Sequence, residues 1–431
     1  MHQKSIAVFW LCLWWLMAGG NTASAQVNPS SQDTVKLSIK QAEEQFLRNN
    51  LRVIAQRYNI DNASAQVITA RLFPNPDFSF SNGIYASNVN QGPPAYKEST
   101  YNISQLFTTA GKRNKNIRLA KIGVDQAKYQ FFDLLRTLKY ALRNDFYSIY
   151  FQEQSSKVYN QEIGSLSQIL GAFKEQYAKG NIAQKEVLRI QSELYSLQVE
   201  YNNLQVNIDT TQAEFKMLLK MPPAVYVVPI VNESNYTGKD IVTHVAYQQL
   251  LDSAYVNRYD LKFAQSTVDY STANLSLQKA LAVPDFSLSA NFDKLGAYGN
   301  NYIGGGIEFN LPFFNRNQGG IKLARIAIDQ SKFDLQNVQN QVSMDVSVNY
   351  QGALRLENLY KTFDPQFKSD FNHLIKQVFI NYEKRNISLL EFLDFYDSYK
   401  TNVLQLNSLQ LSRINSLEQL NFVTGTPFFN Q

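Results

Sequence analysis

The chain has 431 residues, with 41 Lys and Arg against 36 Asp and Glu, a formal net charge of +5. So small a basic excess on so long a chain argues against a nucleic-acid partner. Its single Cys and three Trp (Trp10, Cys12, Trp14, Trp15) all fall in the first 15 residues, which excludes a disulfide scaffold, a thiolate metal site and a catalytic cysteine in the rest of the chain.

The first 25 residues read as an export signal. His2 and Lys4 open it, Ile6 to Met17 is an unbroken apolar run, and Ala23-Ser24-Ala25 fits a small-residue cleavage site with Gln26 as the new N-terminus. The apolar run is shorter than the ~20 residues of a spanning helix. Cys12 sits inside it, not after it where a lipid anchor would need it. No later segment has the apolar length of a membrane helix, so any span must be a β-barrel.

Downstream, Phe78, Phe80 and Ile84 alternate with Ser79 and Ser81, and Tyr101, Ile103 and Phe107 alternate with Asn102 and Ser104. Both runs read as strands with one apolar and one polar face, joined by a polar loop from Ala86 to Glu98. Lys112 to Tyr177 then carries apolar residues three and four apart with no proline, predicting one helix of about 100 Å. Gly180 suits a turn, and Leu194, Leu197, Tyr201, Leu204, Ile208, Phe215 and Leu218 predict a return helix. Pro222, Pro223 and Pro229 mark an irregular linker.

The plan then repeats. Pro76-Asp77-Phe78-Ser79 returns as Pro284-Asp285-Phe286-Ser287, Ile117-x-Leu119-Ala120 as Ile321-x-Leu323-Ala324, and Tyr177 with Asn181-Ile182 as Tyr382 with Asn386-Ile387. Strands are expected around 286–292 and 303–311, separated by a polar loop from Lys294 to Asn301, and a helical kink is expected at Pro365. The domains are therefore a signal (1–25), a first repeat (26–221), a linker (222–242) and a second repeat (243–431).

A single strand of this kind would suit a soluble hairpin equally well. Four of them behind an export signal favour a membrane sheet with lipid on one face and water on the other. Four strands are fewer than the roughly eight that close a membrane barrel, and open edges are not tolerated in lipid. The barrel must then be completed by further copies of the chain, three of which would bring twelve strands. Its interfacial aromatics would come from Tyr and Phe alone.

Two copies of helix, strand hairpin, long helix and return helix resemble the TolC family of outer-membrane efflux channels. Local marks are Phe73-Pro74-Asn75-Pro76, QLFTTAGKR from Gln105, LPFFNRNQG from Leu311, and the tip sequences YAKGNIAQKEVL from Tyr177 and YEKRNISLLEFL from Tyr382. The AGKR and LPFFNRNQG blocks look closer to the CzcC-like, heavy-metal-efflux branch. The resemblance implies a mainly α fold: long coiled-coil hairpins forming a periplasmic α-barrel, with four strands per chain in a trimeric twelve-stranded β-barrel set in outer-membrane lipid. It also implies a periplasmic adaptor (membrane fusion) protein and an inner-membrane pump of RND type as partners.

No catalytic set accompanies this plan. His244 and His373 form no ligand motif, and Gly111-Lys112 lacks the rest of a phosphate loop. No cofactor is expected. The resemblance places Glu186, Glu391 and Asp394 at the periplasmic entrance. Glu391 and Asp394 share a helix face and would form carboxylate rings in a trimer; without the resemblance they would read as solvated surface charges. Gly180, Asn181, Ile182, Asn386 and Ile387 are the expected adaptor contacts. Arg385 stands where the first tip has Gly180, and could pair with an entrance carboxylate. A structural trimeric coiled-coil and barrel surface protein, or a soluble periplasmic enzyme, are the competing readings.

Overall fold

The computed structural model describes residues 33–83, 99–232, 238, 240–296, 299–363, 366–384 and 386–429. The export signal, Ile84, the loop from Ala86 to Glu98, Pro365 and Arg385 lie outside the described residues.

Each repeat begins with a short helix and a longer one: α1 (Ile39–Asn49) and α2 (Leu51–Arg71), then α5 (Tyr247–Asn257) and α6 (Tyr259–Leu281). The break falls at one extended residue in both, Asn50 and Arg258. Asn50 accepts from Val53 N–H at 3.0 Å and donates to the Leu218 carbonyl at 2.9 Å. Arg258 instead pairs with Asp260 at 2.6 Å and Asp345 at 2.8 Å. The break is thus retained, with a cap in one copy and ion pairs in the other.

The strands are β2 (Asp77–Asn82), β3 (Ser99–Phe107), β5 (Phe286–Gly296) and β6 (Gly299–Phe309), forming one antiparallel sheet in the order β2-β3-β5-β6. Its middle pair, β3 with β5, joins the two repeats. The register sorts the side chains by face. Phe80, Tyr101, Phe292 and Ile303 share one cross-strand row, and Phe107, Phe286 and Phe309 another, on the apolar face. Ser79, Asn102, Asn291 and Gly304 form a row on the polar face. A Cβ on Gly304 would lie 2.5 Å from Asn291 Oδ1, and one on Gly306 2.8 Å from Ser289 Oγ, so the glycines make room for polar side chains there. The expected loop from Lys294 to Asn301 is corrected: β5 runs to Gly296 and β6 begins at Gly299, because cross-strand pairing continues to Leu295↔Asn300 and Gly296↔Gly299.

The predicted long helix is α3 (Lys112–Ala178), 67 unbroken residues, and its return helix is α4 (Gln184–Leu219). In the second repeat the equivalent is divided into α7 (Gln318–Thr362) and α8 (Phe367–Glu383), with Phe363 extended, followed by α9 (Leu389–Thr424). The linker is not wholly irregular. Tyr226–Ile230 forms β4, which pairs in parallel with β1 (Thr34–Ser38), and Val242–His244 is a 3₁₀ turn. Pro229 is accommodated opposite Leu37, while the Gln212 side chain bonds both Val227 N–H and its carbonyl, capping the other edge of β4.

Toward the sheet the helices pack side by side as α2-α3-α6-α7, and away from it as α4-α3-α9-α7 with α8 on α9. Of two midway cores, one around Phe46, Phe146 and Phe215 is drawn mainly from the first repeat but takes in Ile414 of α9, and the other, around Val342, Leu417 and Leu420, lies in the second repeat. A third core, toward the hairpin ends, is shared by both repeats and draws on α3, α4, α8 and α9. Among the described residues no helix is long and apolar enough to cross a membrane.

Candidate functional site at the helix tips

The two helical hairpins end in turns of the same construction. In the first, Gly180 adopts φ +76°, Asn181 N–H donates to the Gln176 carbonyl at 2.9 Å, and its side-chain amide donates to Gln176 Oε1 at 2.8 Å. In the second, Asn386 N–H donates to the Asn381 carbonyl at 2.9 Å and its amide to Asn381 Oδ1 at 3.2 Å. The paired Asn therefore close the turns, each tying the exit strand back five residues. Gly180, Asn181 and Asn386 are exposed, while Ile182 and Ile387 are half-buried against the shared core.

Beyond the turns the two tips diverge, although Glu186 and Glu391 occupy matching positions. Ser388 caps α9: its N–H and Oγ each meet Glu391 Oε2 at 2.8 Å, and Glu391 N–H donates back to Ser388 Oγ at 3.2 Å. The Ser388 backbone bond, then its hydroxyl, hold the Glu391 carboxyl below its ordinary value. Asp394 is exposed one turn on, on the same face of α9. The first tip has Ala183 in place of Ser388, so no box forms. Glu186 is half-buried and helps line a cavity of about 650 Å³ between the hairpins, with Phe173, Phe379, Tyr382, Ile182 and Ile387.

Tyr382 and Tyr177 are matched in sequence but not in setting. Tyr177 is exposed, whereas Tyr382 lies between Phe173 of α3 at 6.0 Å and Phe392 of α9 at 4.5 Å, both stacked. Phe392 continues to Tyr396 at 5.3 Å. This aromatic ladder fastens the second hairpin to the first, and its stacked geometry adds to the area it buries. Burial, then the Glu186 charge, push the Tyr382 hydroxyl up, so it stays neutral. The ladder was not legible in the sequence: helical spacing gave each residue's face but not which helix it meets. The Ser388-x-x-Glu391 spacing was a readable capping signal.

At the sheet end, Lys112 Nζ meets Asp285 Oδ1 at 2.8 Å and donates to the Val283 carbonyl at 2.7 Å, while Thr109 N–H donates to Asp285 at 2.7 Å. The AGKR block of one repeat thus holds the Pro-Asp-Phe-Ser block of the other, locking the sheet to the helices.

With this geometry in place, comparison with known proteins is decisive for the fold. Residues 43–219 match the family described as Outer membrane efflux protein. The CmeC outer membrane channel of Campylobacter jejuni superposes with a TM-score of 0.72 at 15% identity, over 91% of this chain and 86% of that one. VceC, an outer membrane protein of Vibrio cholerae, gives 0.71 at 16% identity over 90% and 96%. The sequence match covers the first half of the chain, and the superpositions show that the whole chain shares the fold of these outer membrane channels. Nodulation protein T of Rhizobium leguminosarum bv. trifolii is 24% identical over 273 residues, 60% of this chain and 57% of that protein, so the match spans just over half of that relative's length. These matches do not single out the CzcC-like branch.

Proposed function

We propose that this chain is a TolC-type outer-membrane efflux protein: a passive exit duct, closed as a homotrimer, that carries cargo delivered by a periplasmic adaptor and an inner-membrane RND-type pump to the exterior. The observation that carries it is the four-stranded sheet: apolar on one face, polar on the other, with β2 and β6 left as open edges. Lipid tolerates no such edges, so neighbouring chains must pair with them. The helices support the same closure. On one side of the chain α2 exposes Tyr58 and Ile68 and α4 exposes Val199 and Val206; on the other, α7 exposes Phe333, Met344 and Val348. Apolar stripes of this length on both outer helices fit a ring of like chains.

The tips are the proposed adaptor contacts, through Gly180, Asn181, Ile182, Asn386 and Ile387. In the ring, Asp394 and the capped Glu391 form the carboxylate entrance, with Glu186 beneath and Arg385 as the counter-charge that helps hold it shut. Bilayer recordings test this. Arg385→Ala should raise the conductance of the isolated channel, and Asp394→Asn should lower its cation preference; unchanged values would remove these residues from the gate. The AGKR and LPFFNRNQG blocks favour metal cations as cargo over drugs. Deleting the gene should then sensitise cells to divalent or monovalent metals, and sensitivity to drugs alone would assign the cargo otherwise.

A further inference from the structure

One carboxyl in the shared core has no role in the tips or the sheet. Glu162 of α3 is 2% exposed, where α3 meets α4 of its own hairpin and α9 of the other. Neither of its carboxyl oxygens reaches a hydrogen-bond partner among the described residues. Its backbone carbonyl is taken by the Tyr396 hydroxyl at 3.2 Å. The groups that face it are Tyr159 on α3, Glu193 and Glu200 on α4, and Tyr396, Asp397, Tyr399 and Lys400 on α9. Lys400 is the cation of this set. It is buried, with Nζ 3.2 Å from Glu200 and 3.1 Å from Asp397, and so ties α9 to α4.

A bare carboxylate here would be dry, unbonded and close to three further acids, a costly arrangement in a protein interior. The carboxylates do not converge on a cation site: among the described residues no group of three or more could hold a metal ion. A proton is the ligand that fits. Burial raises the Glu162 carboxyl to about 8, with Lys400 opposing and Asp397, Glu200 and Glu193 adding to the rise.

We propose that Glu162 is a proton-binding site that decides how the second hairpin is tied to the first. Protonated, it leaves Lys400 on Glu200, and α9 stays fastened to α4. When it gives its proton to bulk water, the new carboxylate draws Lys400 toward α3, and the α9–α4 tie is released. The paired hairpins are therefore tighter in acid than in alkali. This goes beyond the exit-duct reading and is read on the purified protein, so it stands or falls without a transport assay.

The test uses the protein in detergent with Glu162→Gln, a near-isosteric neutral replacement, and Glu200→Gln, which removes the tie directly. Infrared spectra of the wild type should show a protonated carboxylic acid band that titrates near 8 and is missing from Glu162→Gln. Hydrogen exchange of the α9 amides around Lys400, corrected for its intrinsic pH dependence, should quicken on the order of threefold as the wild type passes through that range. It should stay slow in Glu162→Gln and fast throughout in Glu200→Gln. An acid band that titrates in the ordinary carboxylate range overturns the proposal. So does a Glu162→Gln protein that keeps the wild-type pH response in α9.

Discussion

Ser388 and Asp145 each make a prediction that rests on one side chain. Ser388 supplies the hydroxyl of the α9 capping box, and Ser388→Ala should cost about 1 kcal/mol. It should also free the Glu391 carboxylate, which thermal melts and hydrogen exchange of the first turn of α9 would report. Asp145 is buried on α3, and burial, then the Glu214 charge, raise its carboxyl to about 7. The folded protein thus keeps a proton that the unfolded chain releases from its ordinary value of 3.8 upward. Stability therefore falls as pH rises from there to about 7 and levels off above it. Asp145→Asn removes this loss, so its melting point should draw ahead of the wild type across that window and hold a constant lead beyond it. A lead independent of pH would show that Asp145 ionises normally.

Two elements meet at the junction of sheet and helices through Lys112 and Asp285. Burial pushes the Asp285 carboxyl up, but the Lys112 and Thr109 hydrogen bonds outweigh it and hold the group below its ordinary value. Lys112→Met leaves that part-exposed carboxylate without its cation, and losing this charged hydrogen bond should cost about 2 kcal/mol. Asp285→Asn in the same chain should return part of the loss, a double-mutant cycle read from unfolding midpoints. On the sheet itself, Gly304→Ala drives a Cβ against Asn291. It should impair assembly of the sheet, and Asn291→Ser in the same chain should restore it, as seen by electrophoretic migration without heating.

At the scale of the whole molecule, the proposed trimer would close over what one chain leaves exposed. Phe333 is 72% exposed on α7, and Val199 is 61% exposed on α4 at the opposite flank. Either residue changed to Asp should leave the fold of a single chain intact by circular dichroism, because neither belongs to a core within it. Both should shift the protein from trimer to monomer in native mass spectrometry. A trimer that tolerates both changes would place the contact between chains elsewhere.

Much of the architecture was legible as period. The three-and-four spacing through Phe131, Leu138 and Leu166 required a long helix, and the strict alternation of Phe78, Tyr101 and Phe286 with Ser and Asn required two-faced strands, because backbone geometry fixes those repeats locally. The matched Pro-Asp-Phe-Ser blocks required a duplicated plan. Local period says nothing about partners across the fold. It gave Tyr177 and Tyr382 the same standing, yet only Tyr382 is stacked between two helices, and it left Tyr226–Ile230 in a linker because the pairing strand lies about 190 residues away. Sequence alone determined helix, strand and the repeated order of the elements. The tertiary structure decided which carboxylates are capped, paired or buried bare, since desolvation depends on neighbours that only packing brings together.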